Sequence, residues 1–272
     1  MAELDLEGIA GHVNDAVNFH LPAFLGTHTP NFQKILGFQI TKYMVIELAV
    51  AVLMVGIFVP MAVKMRGGKQ LKGRFWNVME VFLLYLRDQV IRPSIGKHDA
   101  DRFVPYLWTL FFFVLFCNLA GMVPWVGSPT GSIAVTAVLA FATFAVVNVT
   151  GMRKYGIGKY WLGLVPHMDL PPVLAIMLKP MLFVIEVAGL VVKHIVLSIR
   201  LLANMFAGHM VLAVFLAFIP MTAGLIWWFP VTLGSVAMSV CLSMLELFVA
   251  FLQAYIFVFL SAVYIGAAVH QH

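Results

Sequence analysis

Charge is scarce in this sequence, and toward the end it almost disappears. Only 11% of the 272 residues are Asp, Glu, Lys or Arg, 62% are hydrophobic, and mean hydropathy is +0.97. Soluble domains carry about 25% charged residues, so a water-soluble globular fold is excluded. No lysine or arginine follows Arg200, and residues 201–272 hold a single acid, Glu246. Cysteine is nearly missing too. Cys117 and Cys241 lie in apolar runs without a CxxC pattern or a histidine at ligand spacing, which argues against a disulfide or a thiolate metal site. HExxH, GxSxG and P-loop patterns are absent, as is any carboxylate pair flanking a soluble cleft. No catalytic site and no cofactor are expected in the chain by itself. The start, MAELDLEGIAGHVNDAVNFH, lacks the basic-then-apolar order of a secretory signal, so the first apolar helix is expected to direct insertion.

What is present is a series of long apolar runs. Residues 42–63 predict a first span, followed by KMRGGKQLKGR, the densest basic stretch. Basic residues gathered in short loops beside apolar runs follow the positive-inside pattern, so the net charge of +5 points to membrane topology and not to nucleic acid. Residues 75–91 are apolar on one face but include Glu80, Arg87 and Asp88, which predicts an interfacial helix on the cytoplasmic side. Residues 103–123 then span outward and 132–152 return. Pro166, Pro171, Pro172 and Pro180 predict a broken connection over 160–180. Between Pro180 and Pro220, and again after Pro230, lie apolar helices of about 39 residues, each roughly 58 Å long against a hydrocarbon core of about 30 Å. The expectation is an all-α integral membrane protein with about five membrane-embedded helices plus one interfacial helix, the last two being long, strongly tilted helices that form a hairpin. Three regions follow: an extracytoplasmic segment 1–41, a helical region 42–159, and the broken connection with the hairpin, 160–272. Parity places the N-terminus outside and the C-terminus in the cytoplasm. His12, His20 and His28 are evenly spaced, but nothing else completes a metal site.

Ionisable groups at bilayer depth are expensive, about 2.5–3.5 kcal/mol for an arginine on insertion scales, and mark ion or proton paths. On the first long helix Glu186, Lys193, Arg200 and Asn204 fall within about 40° of one another at 100° per residue, with His209 nearly opposite Arg200. Lys193 reads as structural, pairing with Glu186 or reaching the cytoplasmic surface, and His194, off the stripe, as a packing or lipid-facing residue. On the second helix Ser239, Glu246 and Gln253 recur every seven residues, with Tyr264 at the angle of Glu246. His209 and Glu246 sit at comparable distances from the turn between Pro220 and Pro230, so across an antiparallel hairpin they can meet. Arg200 stands between that pair and Glu186, a fixed positive charge with polar groups on either side.

SIRLLANMFAGH and LELFVAFLQAYIFVFLSAVYIG, with NLAGMVPWVGSPTG collinear before them, resemble subunit a of the F-type ATP synthase over most of residues 40–268. The resemblance implies that Arg200 is the family's essential arginine, that Asn204 and Gln253 are the polar residues near it, and that Glu186 is a carboxylate of the cytoplasmic exit. It puts His209 and Glu246 at the family's two outer-side positions, exchanged relative to many bacterial members and ordered as in mitochondrial-type ones. Val196 stands where some members have a serine. The resemblance further implies two aqueous half-channels, a c-subunit ring turning against the hairpin, b-type peripheral stalk subunits and the remainder of the complex as partners, and a bacterial plasma membrane location. A free-standing ion channel or cation transporter is the alternative. No internal repeat supports a transporter built from two halves.

Overall fold

The structure, a computed structural model, describes residues 41–66, 73–123, 127–164, 172–222, 224 and 226–270, with backbone alone for 66 and 172–176. Residues 1–40 of the expected segment 1–41, most of the basic loop after the first span, and Pro166 and Pro171 lie outside the described residues. Seven of the described helices are labelled: α1 (Lys42–Arg66), α2 (Arg74–Tyr85), α3 (Ala100–Gly121), α4 (Ile133–Tyr155), α5 (Ile157–Leu162), α6 (Pro172–Met221) and α7 (Trp228–Val269). α2 runs directly into a π-helical stretch, Leu86–Ile91, and a closing turn, Arg92–Ile95; a 3-10 turn, Pro129–Gly131, precedes α4.

Among the described residues every regular element is helical, and α1, α3, α4, α6 and α7 are long and apolar enough to cross a membrane. The chain is an all-α, multi-pass membrane protein. α6, with 50 residues, and α7, with 42, are about 75 and 63 Å long. Mostly apolar along their length, with Lys179, Glu186, Lys193 and Arg200 spaced along α6, they cannot project far into water and lie steeply tilted in a core of about 30 Å.

One expectation needs correction. The connection expected to stay broken through Pro180 is shorter, because α6 already begins at Pro172 and carries Pro180 inside it. Pro172 suits a first helical position, where its missing N–H would be unpaired in any case. Pro180 forfeits one backbone hydrogen bond, but leaving the helical path in hydrocarbon would strand several more. Pro60 and Pro105 sit inside α1 and α3 for the same reason.

The described residues form two compact units. The first gathers those among Met1–Lys69, Phe112–Thr136 and Arg200–Ala254. In it α1 buries Tyr43, Ile46, Val50, Met54 and Met61, a stripe at helical spacing, and the Phe58 ring meets Phe112 at 4.7 Å. Asn118, fully buried on α3, donates to the Ala250 carbonyl at 3.2 Å and accepts from the Thr130 hydroxyl at 2.7 Å. Ser128 Oγ lies 2.6 Å from that hydroxyl, so a hydrogen-bonded cluster ties α3 to the 3-10 turn and to α7. Gly127 takes a φ of 75°, and a Cβ there would stand 3.3 Å from the Tyr43 ring.

The second unit comprises Gln70–Phe111, Ala137–Ile199 and Tyr255–His272. It fastens the end of α7: Tyr155 donates to the Val269 carbonyl at 2.7 Å, and His270 Nε2 donates to the Ile95 carbonyl at 2.8 Å. Tyr160, almost wholly buried, donates to Asn148 at 3.2 Å and fills the space that the missing side chain of Gly151 leaves open. At the surface Arg92 bridges Asp88 and Asp101, and Lys154 donates to Asp99 at 3.0 Å, which holds the Asp99 carboxyl below its ordinary range.

Candidate functional site

In the first unit α6 and α7 meet at His209 and Glu246. His209 Nδ1 is 2.8 Å from the Met205 carbonyl, and Nε2 is 2.8 Å from the Gly121 carbonyl. A carbonyl oxygen only accepts, so both ring nitrogens must carry hydrogen for these contacts to be hydrogen bonds. Glu246 Oε1 lies 3.1 Å from Nδ1, an ion pair whenever the ring is doubly protonated. Because Nδ1–H points along the helix to Met205, the contact with Oε1 is one of charge and not an in-line hydrogen bond. Oε1 is buried, with no hydrogen-bond donor in line among the described residues. Oε1 thus keeps an unfilled acceptor position among the described residues.

Gly208 makes that approach possible. A Cβ there would stand 2.9 Å from Glu246 Oε1 and 3.2 Å from Cδ, so any side chain would push the carboxylate aside. The Gly121 carbonyl that receives His209 belongs to the last residue of α3, three residues beyond Asn118. The cluster around Asn118 therefore fixes the backbone on which His209 leans.

Arg200 stands apart from this pair. It is exposed and has no hydrogen bond or ion pair among the described residues. With it, Ala203, Ala207 and Val211 form an exposed strip at spacings of three and four on α6, opposite Leu201 and Met205, which are 0% and 1% exposed. Asn204, half-buried, lies one turn beyond Arg200. Gln253 is buried on α7, and its Nε2 finds no partner among the described residues. The structure thus brings His209 and Glu246 together, but it joins Arg200 to neither Asn204 nor Gln253. α7 has its own uncovered face in this unit, with Met244 70%, Leu245 58% and Phe248 64% exposed.

In the second unit Glu186 and Lys193 line a cavity of about 350 Å³, together with His194, Tyr160, Tyr264 and His270. No ion pair joins Glu186 to Lys193 among the described residues.

The sequence profile of the ATP synthase A chain family matches residues 44–266. The chain belongs to that family. It is 36% identical over 275 residues to the ATP synthase subunit a of Myxococcus xanthus (strain DK1622), covering 96% of this chain and 88% of that protein. Against the ATP synthase subunit a of Chloroherpeton thalassium (strain ATCC 35110 / GB-78) it is 39% identical over 267 residues, covering 95% of this chain and 75% of the other. The ATP synthase subunit a of Anaeromyxobacter dehalogenans (strain 2CP-1 / ATCC BAA-258) is 42% identical over 200 residues, 72% of this chain but 50% of that longer protein.

In this member of the ATP synthase A chain family, sequence reasoning missed three features of the site. Gly208 sits inside the motif SIRLLANMFAGHM without a pattern that marks it, since only the approach of Glu246 gives it meaning. Asn118 and Thr130 are the first and the last-but-one residue of the NLAGMVPWVGSPTG stretch, and an asparagine at the end of an apolar run was the available signal. His194, read as packing, proves to be a wall of the cavity that holds Glu186.

Proposed function

We propose that this chain is the proton-conducting stator subunit in the membrane sector of an F-type ATP synthase. The observation that carries the reading is the exposed, uncompensated guanidinium of Arg200 on an otherwise aliphatic strip of α6. Lipid cannot cover it, because an arginine at that depth costs several kcal/mol without a counter-charge. A carboxylate presented by a neighbouring membrane subunit can. A ring of c subunits, each bearing one acid, meets that need on every step.

On this reading the His209–Glu246 pair receives a proton from the outer half-channel and passes it to a ring carboxylate, which, once neutral, can face lipid. Arg200, with Asn204 one turn beyond it and Gln253 on α7 as polar residues of the same step, obliges the returning acid to give up its proton and blocks a direct leak. The released proton leaves through the half-channel at Glu186. Each charge crossing 100 mV delivers about 2.3 kcal/mol, which rotation carries to a soluble head. The b-type peripheral stalk holds this chain against the torque. The membrane is the bacterial plasma membrane, with the N-terminus outside and the C-terminus in the cytoplasm.

The test is ATP synthesis in energised vesicles. Arg200→Ala and Arg200→Lys should each assemble yet abolish synthesis, because a lysine can lose its proton in an apolar site whereas the far more basic guanidinium does not. Near-normal synthesis in either variant removes Arg200 from this role. Proton conduction by the purified chain without a ring would instead favour a free-standing channel.

A further inference from the structure

The cavity in the second unit has a wall that the proposed cycle leaves idle. His194 is 5% exposed, and its Nδ1 lies 2.8 Å from the Leu190 carbonyl one turn back on α6. Since that oxygen can only accept, Nδ1 holds the hydrogen, and in the neutral ring Nε2 is a bare lone pair. Nε2 is buried and has no hydrogen-bond partner among the described residues. The ring cannot readily turn to find one, because Phe144 stands edge-on to it at 5.2 Å and the Tyr264 ring tilts against it at 5.2 Å. A core histidine that served packing alone would satisfy both nitrogens or be replaced by a phenyl ring, since an unpaired buried acceptor is penalised.

The groups around it are few. From α6 the cavity receives Glu186 and Lys193, from α5 Tyr160, and from α7 Tyr264 with His270 just beyond its end. Tyr160 donates to Asn148 and His270 to Ile95, so both have directed bonds elsewhere. The acid able to receive a proton within this cavity is Glu186.

We propose that His194 is a proton-accepting group of this cavity, a second relay residue beside Glu186. The inference rests on the functional reading above. A proton released on the inner side and carried by water bonds to Nε2, giving an imidazolium whose Nδ1–H bond to Leu190 is unchanged. The N–H bond at Nε2 then breaks, and the proton passes to the Glu186 carboxylate or to water in the cavity, restoring the neutral ring. No oxidant or other reactant is involved. An imidazole can take up and release a proton at the same nitrogen, which suits it to a relay.

The experiment uses the assembled complex in sealed vesicles, after removal of the soluble head, with potential-driven proton flux measured as the pH on the inner side is varied. Parent flux should rise through the imidazole range, as the ring becomes neutral and able to accept. His194→Gln, which can still donate to Leu190 but cannot titrate, should lower flux by about 10²-fold, the lower end of what loss of a positioned proton-transfer group costs, and should flatten that pH dependence. His194→Ala should do the same and recover on addition of imidazole to the inner side, a rescue that a packing role would not show. Parent-like flux and pH profile in His194→Gln overturn the proposal, as does a loss in both variants that imidazole leaves untouched. A parent complex that conducts no protons refutes the functional reading itself, a result distinct from either.

Discussion

Gly208 shows how little separates the outer pair from failure. Its missing side chain leaves the room in which Glu246 reaches His209, and the clash a methyl would create falls on the mobile end of a carboxylate and not on backbone. Gly208→Ala should therefore leave folding and assembly intact, since alanine also favours helix by about 1 kcal/mol. It should slow outer-side proton uptake by up to about 10²-fold, the scale of loss when a reacting group is misplaced by about 1 Å. Flux in sealed vesicles with the soluble head removed measures it, and parent-like flux would mean that the pair tolerates a longer separation. The residues of this site were partly legible beforehand. Arg200, His209, Glu246 and Glu186 stand out because charge in hydrocarbon is rare. Gly208 and the orphan nitrogen of His194 do not, because their meaning lies in what another helix or ring brings near them, and spacing along one helix carries no record of that.

At the scale of elements, Asn118 joins three pieces of chain: α3, the 3-10 turn and the middle of α7. Asn118→Ala would leave the Ala250 carbonyl and the Thr130 hydroxyl without these partners in a buried place, which costs about 1–3 kcal/mol each when unrelieved. The apparent melting temperature of the purified complex should fall by several degrees, at roughly 2–4 °C per kcal/mol for a chain of this size. Outer-side flux should fall with it, since the same segment of α3 ends in the carbonyl that holds His209. An unchanged melting temperature would remove the cluster from the stability of the unit. Helix existence was readable from apolar run length alone, as α1, α3 and α4 fell within about three residues of expectation at either end. The start of α6 was not, because Pro180 is a stop signal in water and a tolerated interruption in hydrocarbon, where the alternative conformations leave more backbone groups unpaired.

For the whole molecule, the basic loops predict an orientation across the membrane. A cysteine introduced at 67–72 should react with a membrane-impermeant reagent only from the cytoplasmic side, and one beside Thr27 only from outside. Reversed labelling would exchange inlet and outlet and invert the direction of the proposed cycle. Family membership follows from the match over 44–266, whereas the division of the described residues into two units that each draw on several stretches of chain could not be read from linear order.

The exposed strip of α6 offers Arg200, Ala203, Ala207 and Val211 in turn, and two of these are bare methyl groups. Long side chains in those places would mesh with a neighbour like gear teeth and hold it in one register. Methyl groups make instead a smooth race, along which a partner can slide while meeting a single sticking point, the guanidinium. Ala207→Leu should then act as a brake: turnover of the assembled motor slows, while the number of protons moved per ATP stays the same.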